Sequence, residues 1–158
     1  MSSATIAAIA NQGGTRVTSR QGALAGAAVL TGRALYAAIF LMTLLSHFSP
    51  QAIGYAASQG LPMARLLVPA SGVIAFLGGL SVLLGYRARL GAWLIVLFLV
   101  PVSLTMHAFW AVSDPMTAQM QMAMFMKNMS MLGAALMITQ LGSGPMSLDA
   151  RRSGTQVR

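Results

Sequence analysis

Lys127 stands in the fourth of four long apolar runs, about 11 residues beyond Met116. At a rise of about 1.5 Å per residue it lies roughly 16 Å along its helix, near the middle of a bilayer, where an ammonium costs about 3 kcal/mol or more. Its neighbours at i−4, i+7 and i+8 are Ala123, Ala134 and Ala135, a small-residue face that suits contact with other helices. No Asp or Glu stands in any apolar run. The amine is then neutral, hydrated, bonded to carbonyls, or paired with an anionic ligand or a partner's carboxylate. The plainer alternative is a lysine satisfied by water and backbone, or snorkelling outward.

The other polar candidates fall toward one side of the membrane: His47, Arg65, His107, Gln119 and Asn128, with Trp110 beside them. They come from all four runs, and convergence at one depth would make a pocket open to the outer face. Its expected ligand is small and apolar or anionic, with Lys127 supplying charge and His107 and His47 supplying hydrogen bonds. The imidazoles suit proton exchange or hydrogen bonding to a quinone carbonyl; they also suit a plain interfacial location, or an axial pair for a haem. Trp110 and Phe109 would either anchor the chain in the interface or wall a ligand's entrance.

Two further patterns read as packing. Of the 13 methionines, Met116, Met120, Met122, Met124, Met126, Met129 and Met131 crowd the fourth run. Thioethers bind Cu(I), but this spacing throws them all around a helix, so they read as adaptable packing and no metal site is expected. Ser71, Ala75 and Gly79 recur every fourth residue, with Gly78 adjoining, a small-residue stripe for close helix approach.

The elements that must position these groups follow from composition. The 158 residues are 56% hydrophobic and 8% charged, with a mean hydropathy of +0.72, whereas a soluble domain carries about 25% charged residues. Lipid is the expected solvent, and the chain is long enough for four spans and no separate soluble catalytic domain. The expected class is all-α: a four-transmembrane-helix bundle running up-down-up-down. The spans are placed at about 33–48, 63–85, 90–111 and 116–141. Ser49-Pro50, the short Tyr86–Arg89 loop, Ser113-Asp114-Pro115 and Gly142-Ser143-Gly144-Pro145 break them. Pro101 is expected to kink the third span near Leu97.

By domain, residues 1–21 read as a flexible cytoplasmic arm, 22–141 as the membrane domain, and 142–158 as a disordered basic cytoplasmic tail. Arg33, at the start of the first span, is expected to snorkel to the interface. The net charge of +8 comes from 10 Lys and Arg against 2 Asp and Glu. Of those cations Arg16, Arg20, Arg33, Arg87, Arg89, Arg151, Arg152 and Arg158 share one predicted side. By the positive-inside rule both termini are cytoplasmic, in a multi-pass membrane protein. No basic stretch is interleaved with exposed aromatics, which speaks against nucleic acid as a partner. The chain contains no cysteine, which removes disulfides and thiolate metal sites. No cleavable leader is expected, the first span directing insertion. No nucleotide loop, metal-ligand cluster or nucleophile–base pair is legible, so no cofactor is intrinsic.

Gly32-Arg33, Gly78-Gly79-Leu80-x-x-Leu83-Leu84-Gly85-Tyr86-x-x-Arg89, His107-x-Phe109-Trp110 and Phe125-x-Lys127-Asn128-x-x-x-Leu132-Gly133 resemble the DoxX family of small four-helix membrane proteins. The resemblance covers about 32–149. It implies an inner-membrane protein akin to subunits of thiosulfate:quinone oxidoreductase. Quinone would then be its small ligand, or the chain a non-catalytic anchoring subunit of a membrane redox complex, or a homo-oligomer. Many DoxX relatives carry a Glu where this chain has Ala75, a departure that removes an acid able to pair with Lys127 and leaves enzymatic activity doubtful.

Overall fold

Proline, serine, aspartate and glycine punctuate an otherwise apolar chain, and α2 and α5 start, and α3 and α5 stop, at them. The computed structural model describes the backbone of residues 3–155 and the side chains of residues 21–152. Six α-helices follow in order: α1 Ser3–Met42, α2 Pro50–Ser58, α3 Ala64–Leu84, α4 Ala88–Met106, α5 Pro115–Leu141 and α6 Leu148–Thr155. Two short 3₁₀ turns, Leu45–Phe48 and Phe109–Ala111, close the ends of α1 and α4. Among the described residues there is no strand.

Local chemistry sets these boundaries. Pro50 and Pro115 occupy first helical positions, where a missing N–H costs nothing. Ser49 Oγ accepts from Ala52 N at 3.2 Å to cap α2, and Asp114 Oδ2 accepts from Thr117 N at 2.7 Å to cap α5. Gly85 ends α3 in the left-handed conformation, φ 63°. The connection between the first two spans is therefore largely helical, α2 covering Pro50–Ser58, with Ala56 buried against Ala64 and Val68.

Four segments are long and apolar enough to cross a membrane: Gln21–Phe48, Ala64–Leu84, Ala88–Ala111 and Pro115–Leu141. The all-α four-span architecture is thus present, with the first span longer than expected because α1 runs unbroken from Ser3. The stretch read as a flexible arm is helical backbone from that residue onward.

The spans alternate in direction, and α3 and α4 are the inner members. Helix α3 packs against α1 on one side and α4 on the other, and α4 packs against α5. A Cβ on Gly79 would lie 2.9 Å from Phe40 Cβ on α1, and one on Gly78 would lie 2.8 Å from Gly91 O on α4. Those glycines let α3 sit between two helices at once. Ala75 is buried with them at 1% exposure, while Ser71 bonds back to Val68 O and borders a cavity. Phe40, Val82, Ile95, Leu99 and Ala135 complete the shared core. α1 and α5 are bridged by Tyr36 Oη donating to Met131 O at 3.0 Å, beside a groove of 350 Å³.

The segment after α5, read as a disordered tail, folds back onto the end of the bundle. Arg33 Nη1 donates to Ser143 O at 3.0 Å and Nη2 to Met146 O at 2.6 Å. Asp149 N donates to Gly85 O at 2.9 Å, and Asp149 Oδ1 accepts from Arg87 N at 3.0 Å. Arg87 is itself left-handed, φ 48°, and its side chain does not cap α4. An acid from the far end of the sequence takes that role. Arg33 therefore does not snorkel: it is 6% exposed, clamps two carbonyls, and its Nε finds no acceptor. The part of α1 around Gly26 lies at the same end, beside Met146 and Pro145.

Candidate functional site

At the opposite end of the bundle, α2 roofs a cavity of 510 Å³ between α3 and α4. Its walls are mostly aliphatic and aromatic: Leu67, Val68, Ile74, Leu97, Phe98, Pro101, Val102 and Met106. His47, His107, Tyr55, Ser71 and Thr105 supply its polar groups. Pro101 has no N–H to offer the Leu97 carbonyl, and both residues border the space. The helix continues through Pro101 to Met106.

The two histidines arrive by different routes. His47 sits in the turn after α1, where its Nδ1 lies 2.7 Å from Thr43 O and its ring meets Phe98 edge-on at 5.8 Å. Gly72 on α3 makes room for it, since a Cβ there would lie 2.5 Å from His47 Cβ. His107 follows the last turn of α4, with Nδ1 2.8 Å from Gln121 Oε1. Gln121 Nε2 in turn donates to Tyr55 Oη at 3.2 Å, and Tyr55 Oη donates to Met106 O at 3.3 Å.

These contacts assign the tautomers. A carbonyl or amide oxygen only accepts, so both Nδ1 atoms carry hydrogen. In the neutral ring each Nε2 is then an acceptor. Two such rings on one apolar cavity favour a partner that donates, such as a hydroxyl, over one that only accepts, such as a quinone carbonyl.

Of the seven residues expected to form a pocket, only His47 and His107 line this cavity. Lys127 is exposed on the outer face of α5, its Nζ 3.6 Å from Met124 Sδ, and the inward-turned lysine is corrected accordingly. The face of α5 that turns inward carries Gln121, Phe125, Asn128, Leu132, Ala135 and Thr139, spaced by four and three. Asn128, 4% exposed, belongs to it, and Lys127 is rotated roughly 100° away. Ala123 is exposed as well. Gln119 is exposed, roughly 200° around the helix from the Gln121 that does reach His107. Arg65 is exposed on the first turn of α3. Trp110 packs edge-on with Phe109 at 5.1 Å and Phe125 at 5.6 Å, outside the cavity.

Sequence reasoning missed Gln121 and Tyr55. The signal for Gln121 is the four-and-three spacing that links it to Phe125 and Asn128; nothing local marks Tyr55, whose partners stand more than 50 positions away. Among the described residues no three His, Asp or Glu side chains gather as a metal site would need.

Four apolar helices around a shared core define a multi-pass helical membrane protein. A family model described as the SURF4 family matches residues 29–154, and the chain belongs to that family. The DoxX resemblance is thereby overturned, and with it the family-borne expectation of kinship to a quinone oxidoreductase; four short motifs proved less selective than a profile spanning most of the chain. No curated protein and no solved structure matches it.

Proposed function

We infer that this membrane protein binds a small, mostly apolar molecule, hydroxyl end first, in the cavity between α2, α3 and α4. The observation that carries the reading is the pair of imidazoles bordering one apolar space, each with Nδ1 engaged by the protein. The volume, 510 Å³, falls within the range of small-molecule sites, about 300–1,000 Å³. Binding, not turnover, is what these residues support. The end of the bundle holding Arg33, Arg87 and Arg89 is cytoplasmic by the positive-inside rule, which makes the cavity face outward.

A matched pair of probes tests this: 4-octylphenol and its methyl ether, titrated against the purified protein in mild detergent. The phenol should bind roughly threefold to tenfold more tightly, the worth of about one buried hydrogen bond. His47→Ala and His107→Ala should each narrow that gap. Equal binding of the two probes, or tighter binding of a quinone than of its quinol, refutes the hydroxyl reading.

Lys127 favours a second reading, attachment to another membrane protein. An exposed ammonium near the middle of a span is costly in lipid. The spans contain no Asp or Glu, so a second copy offers no carboxylate at that depth. A different chain bearing one would compensate it, and copurification lost in Lys127→Met is the test.

A further inference from the structure

The turn between α3 and α4 and the end of α5 enclose a second cavity, of 490 Å³, at the end of the bundle remote from the histidines. Arg87 and Arg89 line it together with Leu90, Leu141 and Asp149. Arg89 Nη2 donates to Gln140 O at 3.0 Å, which holds its guanidinium against the end of α5. Asp149 is turned to the helix: Oδ1 accepts from Arg87 N at 3.0 Å, and Oδ2 from Ala88 N and Ser143 Oγ, each at 3.4 Å. Arg87 and Arg89 outnumber the one carboxylate among the lining residues, the Arg87 guanidinium standing 5.7 Å from the Tyr86 ring centroid, and the site is cationic.

The cavity also lies at a definable depth. Arg89, Trp93, Leu97, Val100 and Leu104 follow one another on a single face of α4, spaced by four, four, three and four, and all are exposed. Cation, indole and aliphatic chain succeed each other in the order of head group, interface and hydrocarbon in a lipid leaflet. Leu90 and Leu141, 59% and 79% exposed, make the membrane-side rim apolar. A soluble anion has no use for such a rim.

We propose that this cavity binds the phosphodiester head group of an anionic phospholipid. Arg87 and Arg89 hold the phosphate oxygens, and the acyl chains lie along the Trp93–Leu104 face of α4. Basic pockets at the ends of transmembrane helices recognise lipid head groups by this combination of charge and depth.

The full chain, purified in mild detergent, is offered equal amounts of phosphatidylglycerol and phosphatidylcholine with matched acyl chains, and retained lipid is counted by native mass spectrometry. Wild type should retain the anionic lipid at least fivefold over the zwitterionic one. The double variant R87Q/R89Q should fall to near parity, while R65Q, which removes one cation at the other end, should keep the preference. If R87Q/R89Q does not fold, R89Q and R87K/R89K carry the test: the preference must fall in the first and survive in the second. No preference in wild type, or an equal loss in R65Q, overturns the proposal. Full displacement of the lipid by soluble glycerol phosphate at equal concentration also overturns it, by making the site one for a free phosphate.

Discussion

Arg33 Nη1 donates to the carbonyl oxygen of Ser143 at 3.0 Å, joining the first span to a residue 110 positions later. A buried cation in a membrane protein must be compensated, and here the chain's own carboxy-terminal segment does so, with Met146 O as second acceptor. Arg33 is compensated within the chain, whereas Lys127 stays on the outer face of α5 with Met124 Sδ beside it.

Replacing Arg33 by Gln should release that segment. Hydrogen bonds to a charged donor contribute about 1.5–3 kcal/mol each, so thermal stability in detergent should drop by about 2 kcal/mol or more. Trypsin should also cut at Arg151 and Arg152 faster than in wild type. Unchanged melting and proteolysis would mean that the clamp contributes nothing.

Gly85→Ala and Gly133→Ala should act in opposite directions. Gly85 has φ 63°, and an added Cβ would run into Arg33 Nη1 and Ser147 Cβ. Gly133 lies within α5 with open space where its Cβ would go. Alanine there should stabilise by about 0.5–1 kcal/mol, while at Gly85 it should destabilise by more than that. Melting temperatures of the two variants side by side check the pair.

Gly72→Ala should reach the histidine cavity without touching its ligand. The added Cβ meets His47 Cβ at 2.5 Å and Cγ at 2.7 Å, so the imidazole must shift. Octylphenol affinity should fall severalfold. Gly54→Ala, with nothing within 4 Å of the new atom, should leave it unchanged.

Lys127→Met should leave the stability of the isolated chain within about 0.5 kcal/mol, as surface changes generally do. Membrane insertion should improve, by up to about 3 kcal/mol on insertion scales. A large loss of melting temperature in the purified single chain would show that the lysine is buried among the helices after all.

Asp114 is held below the usual carboxylate range by hydrogen bonds from the Thr117 side chain and amide. A depressed folded-state value contributes stability above the ordinary carboxylate pKa, about 4, and that contribution is lost as pH falls through the folded value. Circular dichroism on acidification should therefore show α5 losing helix below about pH 4 in wild type. Asp114→Asn, which still caps but does not titrate, should flatten that transition.

The sequence alone determined the solvent, the number of spans, all of their ends but the start of the first, and the end of the bundle at which His47 and His107 stand. Those properties are sums of hydropathy over about 20 residues or local rules for proline, glycine and caps, and neither kind needs a distant partner. Which side of each helix faces inward was left to tertiary structure. In water an amphipathic stripe marks the buried face, but in lipid both faces are apolar, and Met- and Ala-rich α5 carries no such stripe. Turning α5 by roughly 100° exchanges Lys127 for Asn128, and that choice rests on its contact with α4. The docking of Ser143–Asp149 on Arg33, Gly85 and Arg87 likewise joins residues far apart in the chain, each of which, read locally, looks like an ordinary end of a span.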